Sequence, residues 1–421
     1  MIELVIFGAV LVGYTLVSRR LVGTPLTAPM VFAVAGLLVG LGGGSIGIDV
    51  SSGEVHVTEN ARHLAEIALV LLLFTDAARI DLRVLRAGKS LPMRLLALGL
   101  PLTIVLGGVL ALLVLGGQLE LWEAFVLGAI LAPTDAALGE VVVSSPKLPV
   151  RLRQALNVEA GLNDGLAVPF FTVFAALAAE EELEGRTPLL RVLFEKLGYG
   201  ALVGIGIAAA GGLLLREASR RGWTTPPFEQ LALLALALLA WWTAEDVGGS
   251  GLIAAFAGGL ALRAVAGEVA DRAADFTEDF GQLLSLIVFF SLGIAFVDAW
   301  DAVTWQMAAY AALSLTVIRM LPVAVALRGT GLRRPTVAYL AWFGPRGLAS
   351  ILLALILLIE YPDLPGGVPI LVAVMVTVLA SVFLHGATAG PLTDRYVRRN
   401  PSPAELETVP ELRTRFSGAE R

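Results

Sequence analysis

Apolar runs of about twenty residues follow one another along nearly the whole 421-residue chain. A run of that length spans roughly 30 Å of hydrocarbon as a helix. Inside lipid each backbone N–H and C=O must be satisfied without water, which confines a continuous apolar run to a helix. The runs predict about thirteen membrane helices, over residues 2–18, 28–49, 62–80, 93–116, 121–142, 154–179, 193–215, 229–245, 250–267, 281–299, 304–327, 336–360 and 367–389. The fold class expected is an all-α polytopic membrane protein. Composition points the same way, with 57% hydrophobic and 16% charged residues, where soluble domains carry about 25% charged. The first run, MIELVIFGAVLVGYTLVSRR, has its arginines after the apolar stretch. It is therefore expected to be a membrane helix rather than a signal peptide.

Several function classes drop out. The chain has no cysteine, which removes disulfides, thiolate catalysis and cysteine-ligated metals. His56, His63 and His385 are scattered, without metal-ligand spacing, and are expected to be loop or packing residues. No cofactor, ATP-binding motif or catalytic dyad is evident, so an enzyme is not expected, and nothing suggests a nucleic-acid partner. The expected partners are the lipid bilayer and a small transported ion.

Basic residues should collect in every second loop, on the cytoplasmic side. Arg19 and Arg20 fill the first loop, whereas IDVSSGEVHVTEN, the second, has no lysine or arginine. Arg79, Arg83, Arg86, Lys89 and Arg94 mark the third, Lys147, Arg151 and Arg153 the fifth, Arg216, Arg220 and Arg221 the seventh, and Arg328, Arg333 and Arg334 the eleventh. The N-terminus is accordingly expected outside and the C-terminus in the cytoplasm, in the cell inner membrane. The acidic ninth loop, GEVADRAADFTEDF, is expected to be a surface amphipathic helix. If residues 193–215 form a linker, the six helices before it and the six after enter from opposite sides, which makes an inverted repeat.

Each half holds a helix interrupted by proline, in LGAILAPTDAALGE and in AYLAWFGPRGLAS. Pro133 cannot donate to the carbonyl of Ala129, nor Pro345 to that of Ala341. Such backbone is tolerated at membrane depth only where protein, water or an ion satisfies it, and two matching breaks point to a midplane site. Thr134 and Asp135 follow one break, and Arg346 follows the other.

Glu159, Asn163 and Asp164 lie in the otherwise apolar LNVEAGLNDGLAVPFFTV. Intramembrane charges at helix centres cost about 2.5–3.5 kcal/mol each on insertion scales and are by default functional. Glu159 and Asn163 share one helical face, whereas Asp164 is turned about 100° from Asn163. Arg346 is the expected counterion of Glu159, which leaves Asp164 for the ion. One carboxylate holds a proton or a metal ion but not both, and that competition couples two opposed fluxes. Asp164, the Thr134 hydroxyl and carbonyls near Pro133, with Asp135 direct or through water, make a set suited to a hard monovalent cation. Arg319 is either a second counterion or a residue reaching for the inner surface, and Asp76 either a structural acid or part of the cytoplasmic entrance.

The segments LAPTDAAL, VEAGLNDGLAVPF and WFGPRGLAS, in this order and spacing, resemble the sodium/proton exchanger family of the monovalent cation:proton antiporters, prokaryotic electroneutral branch. The resemblance covers nearly the whole membrane region. It implies an antiporter fold of thirteen helices with two crossing broken helices, and a homodimer. Residues 1–397 would form the antiporter domain, with moving core helices within 93–179 and 304–389, scaffold and dimer helices within 1–80 and 229–299, and a linker helix over 193–215. Residues 398–421 would be a short cytoplasmic tail. The resemblance further implies that Asp164 carries cation and proton, that Thr134 and Asp135 adjoin a bound sodium, that Asn163 stabilises the site, and that Glu159 pairs with Arg346. The Asn163–Asp164 pair is similar to the electroneutral pattern, one proton per cation. Thr75 stands where some members carry a glutamate near the ion, which makes Asp76, one residue on, an accessory candidate. The function expected is secondary sodium/proton antiport serving pH homeostasis. A potassium/proton antiporter of the same fold is the alternative, ahead of a cation channel.

Overall fold

The computed structural model describes residues 2–21, 24–45, 48–51, 54–80, 91–135, 138, 145, 147–182 and 194–399. The chain runs through α1 (Ile2–Leu21), α2 (Ala28–Leu41), a two-stranded antiparallel hairpin (Ile48–Ser51 with Glu54–Val57) and α3 (Glu59–Ala78). Then come α4 (Leu91–Leu115), α5 (Leu121–Ile130), α6 (Val150–Glu182), α7 (Phe194–Arg220) and α8 (Pro226–Asp246). The last five are α9 (Gly251–Asp298), α10 (Trp305–Ala326), α11 (Arg334–Trp342), α12 (Leu348–Glu360) and α13 (Gly367–Arg399). The molecule is nearly all helix, as its apolar runs require.

Among the described residues nine helical segments are long and apolar enough to cross a membrane, the two arms of α9 counted separately, with α2, α5 and α12 as shorter apolar helices. The thirteen expected crossings are therefore matched by length and hydropathy only in part. Helix α3 carries Glu59, Arg62, Glu66 and Asp76, and the two interrupted helices are divided into short pieces. Exposed Trp223, Trp242, Trp300 and Trp305 sit near helix ends, where amphipathic rings settle at the membrane–water boundary.

Three expectations on boundaries change. The second helix ends at Leu41, eight residues early, because Gly42 caps it and Gly43 takes a positive φ before the hairpin. The ninth loop is not separate from its neighbours: α9 runs through it, bent only at Ala266 (φ −139°, ψ 37°). Ion pairs from Arg263 to Asp271 and from Arg272 to Glu229 hold that stretch. Finally α13 extends to Arg399, so the expected tail begins inside a helix; residues 400–421, like Arg83, Arg86 and Lys89, lie outside the described residues.

Helix α9 packs along α2, α3, α7 and α8, while α5 packs on α4 and α6, and α13 takes α10 and α12. The two interrupted helices meet within the second group.

Candidate ion-binding site

Helix α5 stops at Ile130, before Pro133, and Leu131–Asp135 run on without helical structure. On the other side α11 stops at Trp342 and α12 begins at Leu348, leaving Phe343–Gly347 unwound. The two unwound stretches bond directly to each other. Asp135 N donates to Pro345 O at 2.8 Å. Ser350 Oγ donates to Ile130 O at 2.7 Å. Arg346 Nη1 donates to Ala132 O at 2.5 Å and Pro133 O at 3.0 Å.

These bonds correct the expected list of freed carbonyls. A tight last turn reclaims Ala129 O, which accepts from Ala132 N at 3.4 Å. Of the carbonyls at this helix end, those of Ile130, Ala132 and Pro133 are filled by the protein's own hydroxyl and guanidinium. Arg346, with no exposed surface, thus acts as a built-in cation for the first break. A carbonyl has two lone pairs, so Ala132 and Pro133 retain capacity for a further partner.

The expected pair of Glu159 with Arg346 is not formed. Arg319 binds Glu159 through both nitrogens, Nη1 to Oε1 at 2.5 Å and Nη2 to Oε2 at 2.9 Å. Both side chains are about 5% exposed or less. The reason is reach: Arg346 leaves the chain inside the break and turns to the carbonyls opposite. Arg319, on α10 after the interruption at Thr316 (φ −116°, ψ −88°), faces α6 with the fork geometry that suits a carboxylate. Arg319 is therefore the counterion, the first of its two expected roles.

Asp135 is held by backbone donors. Its Oδ2 accepts from Leu348 N at 2.9 Å and its Oδ1 from Leu138 N at 3.4 Å. It sits as an anion on the N-terminus of α12, where helix N–H groups have no intrahelical acceptor. The Gly-Pro-Arg-Gly segment now has a steric reading. A Cβ on Gly344 would collide with the Arg319 guanidinium, and one on Gly347 with the Asp135 carboxylate. Each glycine makes room for one charged side chain of the site.

Asn163 Nδ2 donates to Thr134 Oγ1 at 2.7 Å, both residues being buried, so the first break and α6 are joined at the residues expected to surround the ion. Asn163 Oδ1 is buried without a hydrogen bond. Asp164 follows on α6, 7% exposed, fourteen residues from its start, which is about 21 Å at 1.5 Å per residue in a helix of 33 residues. The acid therefore lies near mid-helix. Pro169 withholds the usual donor from the carbonyl of Gly165, one residue beyond Asp164. Gly165 in turn leaves room for the Phe256 ring of α9, which a Cβ there would strike.

Of the accessory residues, Thr75 turns back on its own helix, donating to Leu71 O at 2.7 Å. Its side chain lines a crevice with Leu71, Gly281, Leu284 and Leu348, between α3, α9 and the start of α12. Asp76 is buried at the end of α3, whose Ala77 packs in one cluster with Leu162 of α6. Sequence reasoning did not single out Ser350 and Ser381, although both touch the crossing, Ser381 Oγ by accepting from Arg346 N at 2.7 Å. A serine and a histidine four apart in the apolar run SVFLH were the available signal.

Against known proteins, residues 6–395 match the family model described as sodium/hydrogen exchanger, transmembrane. The uncharacterized Na⁺/H⁺ exchanger YjcE of Escherichia coli is 33% identical over 205 residues, 47% of this chain and 36% of that protein. The Na⁺/H⁺ antiporter NhaP of Pseudomonas aeruginosa is 28% identical over 361 residues, 79% of this chain and 81% of that protein. Against the first curated relatives the chain spans only about a third of their length, 36% and 30%. The structure of the sodium proton antiporter MjNhaP1 from Methanocaldococcus jannaschii superposes with a TM-score of 0.73 over 94% of this chain and 99% of that one, at 20% identity, which shows a shared fold. With the family model matched over nearly its whole length, the chain belongs to the transmembrane sodium/hydrogen exchanger family.

Proposed function

We propose that this protein exchanges sodium for a proton, one for one, by alternating access. The observation that carries the reading is the joining of Thr134 and Asn163 at the crossed breaks, beside the buried mid-helix carboxylate of Asp164. Asp164 takes either the proton or the cation. Thr134 Oγ1, held by Asn163, offers an oxygen lone pair next to the unwound carbonyls, and hard oxygen donors of this kind suit an alkali ion. Arg319 is taken up by Glu159 and Arg346 by the Ala132 and Pro133 carbonyls, so the exchange is assigned to the Asp164 carboxylate alone. An exchange of one H⁺ for one Na⁺ is then electroneutral.

Movement follows from the packing. The helices around the crossing, α4 to α6 and α10 to α13, act as the moving core, and α2, α3, α8 and α9 as the scaffold, with α7 as linker. Gly165, whose missing Cβ makes room for the Phe256 ring, lets α6 of the core approach α9 of the scaffold closely. The basic loops support an N-terminus outside and a cytoplasmic C-terminus in the inner membrane. A homodimer completes the reading, with α1, which buries none of its residues in the protomer, available as a contact helix.

The test is a reconstitution. Proteoliposomes with a trapped pH dye are given sodium, lithium or potassium pulses with the membrane potential clamped at several values. The expected result is saturable, sodium-driven proton efflux independent of the potential. Large passive currents without proton coupling would favour a channel and overturn the proposal; a response to potassium alone would move the assignment to the potassium antiporter.

A further inference from the structure

His385 sits on α13, 2% exposed, in a polar chain that the exchange cycle above does not use. Its Nε2 lies 3.1 Å from Trp342 O, the last carbonyl of α11. Its Nδ1 lies 3.1 Å from Ser381 Oγ and also 3.1 Å from Ser381 O, one helical turn away. Both ring nitrogens face a carbonyl, which only accepts, and a neutral imidazole has one N–H; with that proton on Nε2, toward Trp342 O, Nδ1 accepts from the Ser381 hydroxyl. The Ser381 oxygen meanwhile accepts the backbone N–H of Arg346 at 2.7 Å. Every group in the chain then points one way, from Arg346 N–H to Ser381, from Ser381 to His385, and from His385 to Trp342 O.

Both edges of the second break thus hang from one face of α13. Trp342 is held twice, since its Nε1 also donates to Thr388 Oγ1 at 3.1 Å, and its ring centroid is 5.3 Å from that of His385. Nearer the start of α11 the same two helices are tied by Tyr339 to Thr393 at 2.8 Å and by Thr336 to Tyr396 at 3.0 Å. What distinguishes His385 and Ser381 is where their hold leads. They fix the backbone of Arg346, whose guanidinium grips Ala132 O and Pro133 O, the two residues before Thr134. Thr134 in turn receives Asn163.

We propose that His385 is a positioning residue for cation binding, acting through Ser381 and Arg346 on the oxygens around Thr134. This rests on the sodium/proton exchange reading above. Loosening the anchor lets Arg346 drift from the two carbonyls, and the geometry that binds the cation is lost before the fold is. A buried hydrogen bond contributes about 0.5–1.5 kcal/mol net, which is roughly a 2- to 13-fold change in an equilibrium.

The experiment measures the sodium dependence of proton efflux in proteoliposomes for the full chain and for His385→Ala, His385→Gln and Ser381→Ala, each normalised to folded protein by size exclusion. The expected result is a rise of about fivefold in half-saturating sodium for His385→Ala and Ser381→Ala, with maximal rates within about twofold of the parent. His385→Gln, whose amide N–H reaches toward Trp342 O, is expected to recover most of the affinity. A purely structural role would lower the yield of folded protein and leave half-saturation unchanged. Parent-like half-saturation in both alanine variants, or a glutamine variant as impaired as the alanine one, would overturn the inference while leaving exchange intact. No exchange by the parent chain would instead overturn the transport reading, and this inference with it.

Discussion

Removing Glu159 or Arg319 tests the charge arrangement most sharply. The pair is bidentate, 2.5 and 2.9 Å, and almost fully enclosed. At about 4 Å and an effective dielectric near 20, two unit charges attract by about 4 kcal/mol. Most of that offsets desolvation, so the intact pair adds little net stability, but deleting one partner strands a buried charge at about 3–5 kcal/mol. Taking about 2 °C per kcal/mol for a large chain, Glu159→Ala or Arg319→Ala should each lower the melting temperature in detergent by roughly 6–10 °C. The Glu159→Leu/Arg319→Leu double variant strands nothing and should melt within a few degrees of the parent. With the same leucine substitutions as the single variants, a double-mutant cycle therefore gives a coupling of about 4–9 kcal/mol between Glu159 and Arg319, and a much smaller one between Glu159 and Arg346. Melting monitored by intrinsic tryptophan fluorescence reads all of these. Additive losses for Glu159 and Arg319, or a large coupling that falls on Arg346, would refute the reasoning.

Other expectations follow from the same contacts. Thr134→Val removes the acceptor of the Asn163 bond and should raise half-saturating sodium about fivefold, whereas Thr134→Ser should stay near the parent; equal effects would deny the hydroxyl a role. Gly347→Ala forces Asp135 off the N-terminus of α12 and should reduce exchange at least tenfold while Gly390→Ala, in open space, leaves it unchanged, both read by dye dequenching. Because proton and sodium share one carboxylate, half-saturating sodium should rise up to tenfold per unit as pH falls below the titration point of the site, and flatten above it. A half-saturation constant over pH 6–9 would speak against competition.

The membrane class and the two breaks were legible because their causes are local: twenty-residue apolar runs, and prolines that cannot donate. Thr134, Asn163 and Asp164 stood out for the same reason, as polar groups in an apolar run, and the fold bonds the first two to each other. Partners were not. Helix periodicity places Glu159 on a face but says nothing of which arginine, Arg319 or Arg346, the tertiary fold brings to it. The breaks misled in detail, since the rule for proline names the carbonyl that loses its donor in an ideal helix, whereas α5 ends three residues before Pro133 and tightens its last turn onto Ala129 O. Asp135 follows a break, but its backbone partners were not legible. Its engagement by the N-terminus of α12 depends on a contact 213 residues away in sequence.

The central claim is that one acid, Asp164, holds either a proton or an alkali ion. Purified protein in weakly buffered detergent, mixed with sodium chloride near neutral pH, should release protons in step with sodium binding, approaching one per protein. Asp164→Asn, folded by its melting curve, should release none. Sodium binding without proton release by the parent chain, or undiminished release by Asp164→Asn, would contradict the account.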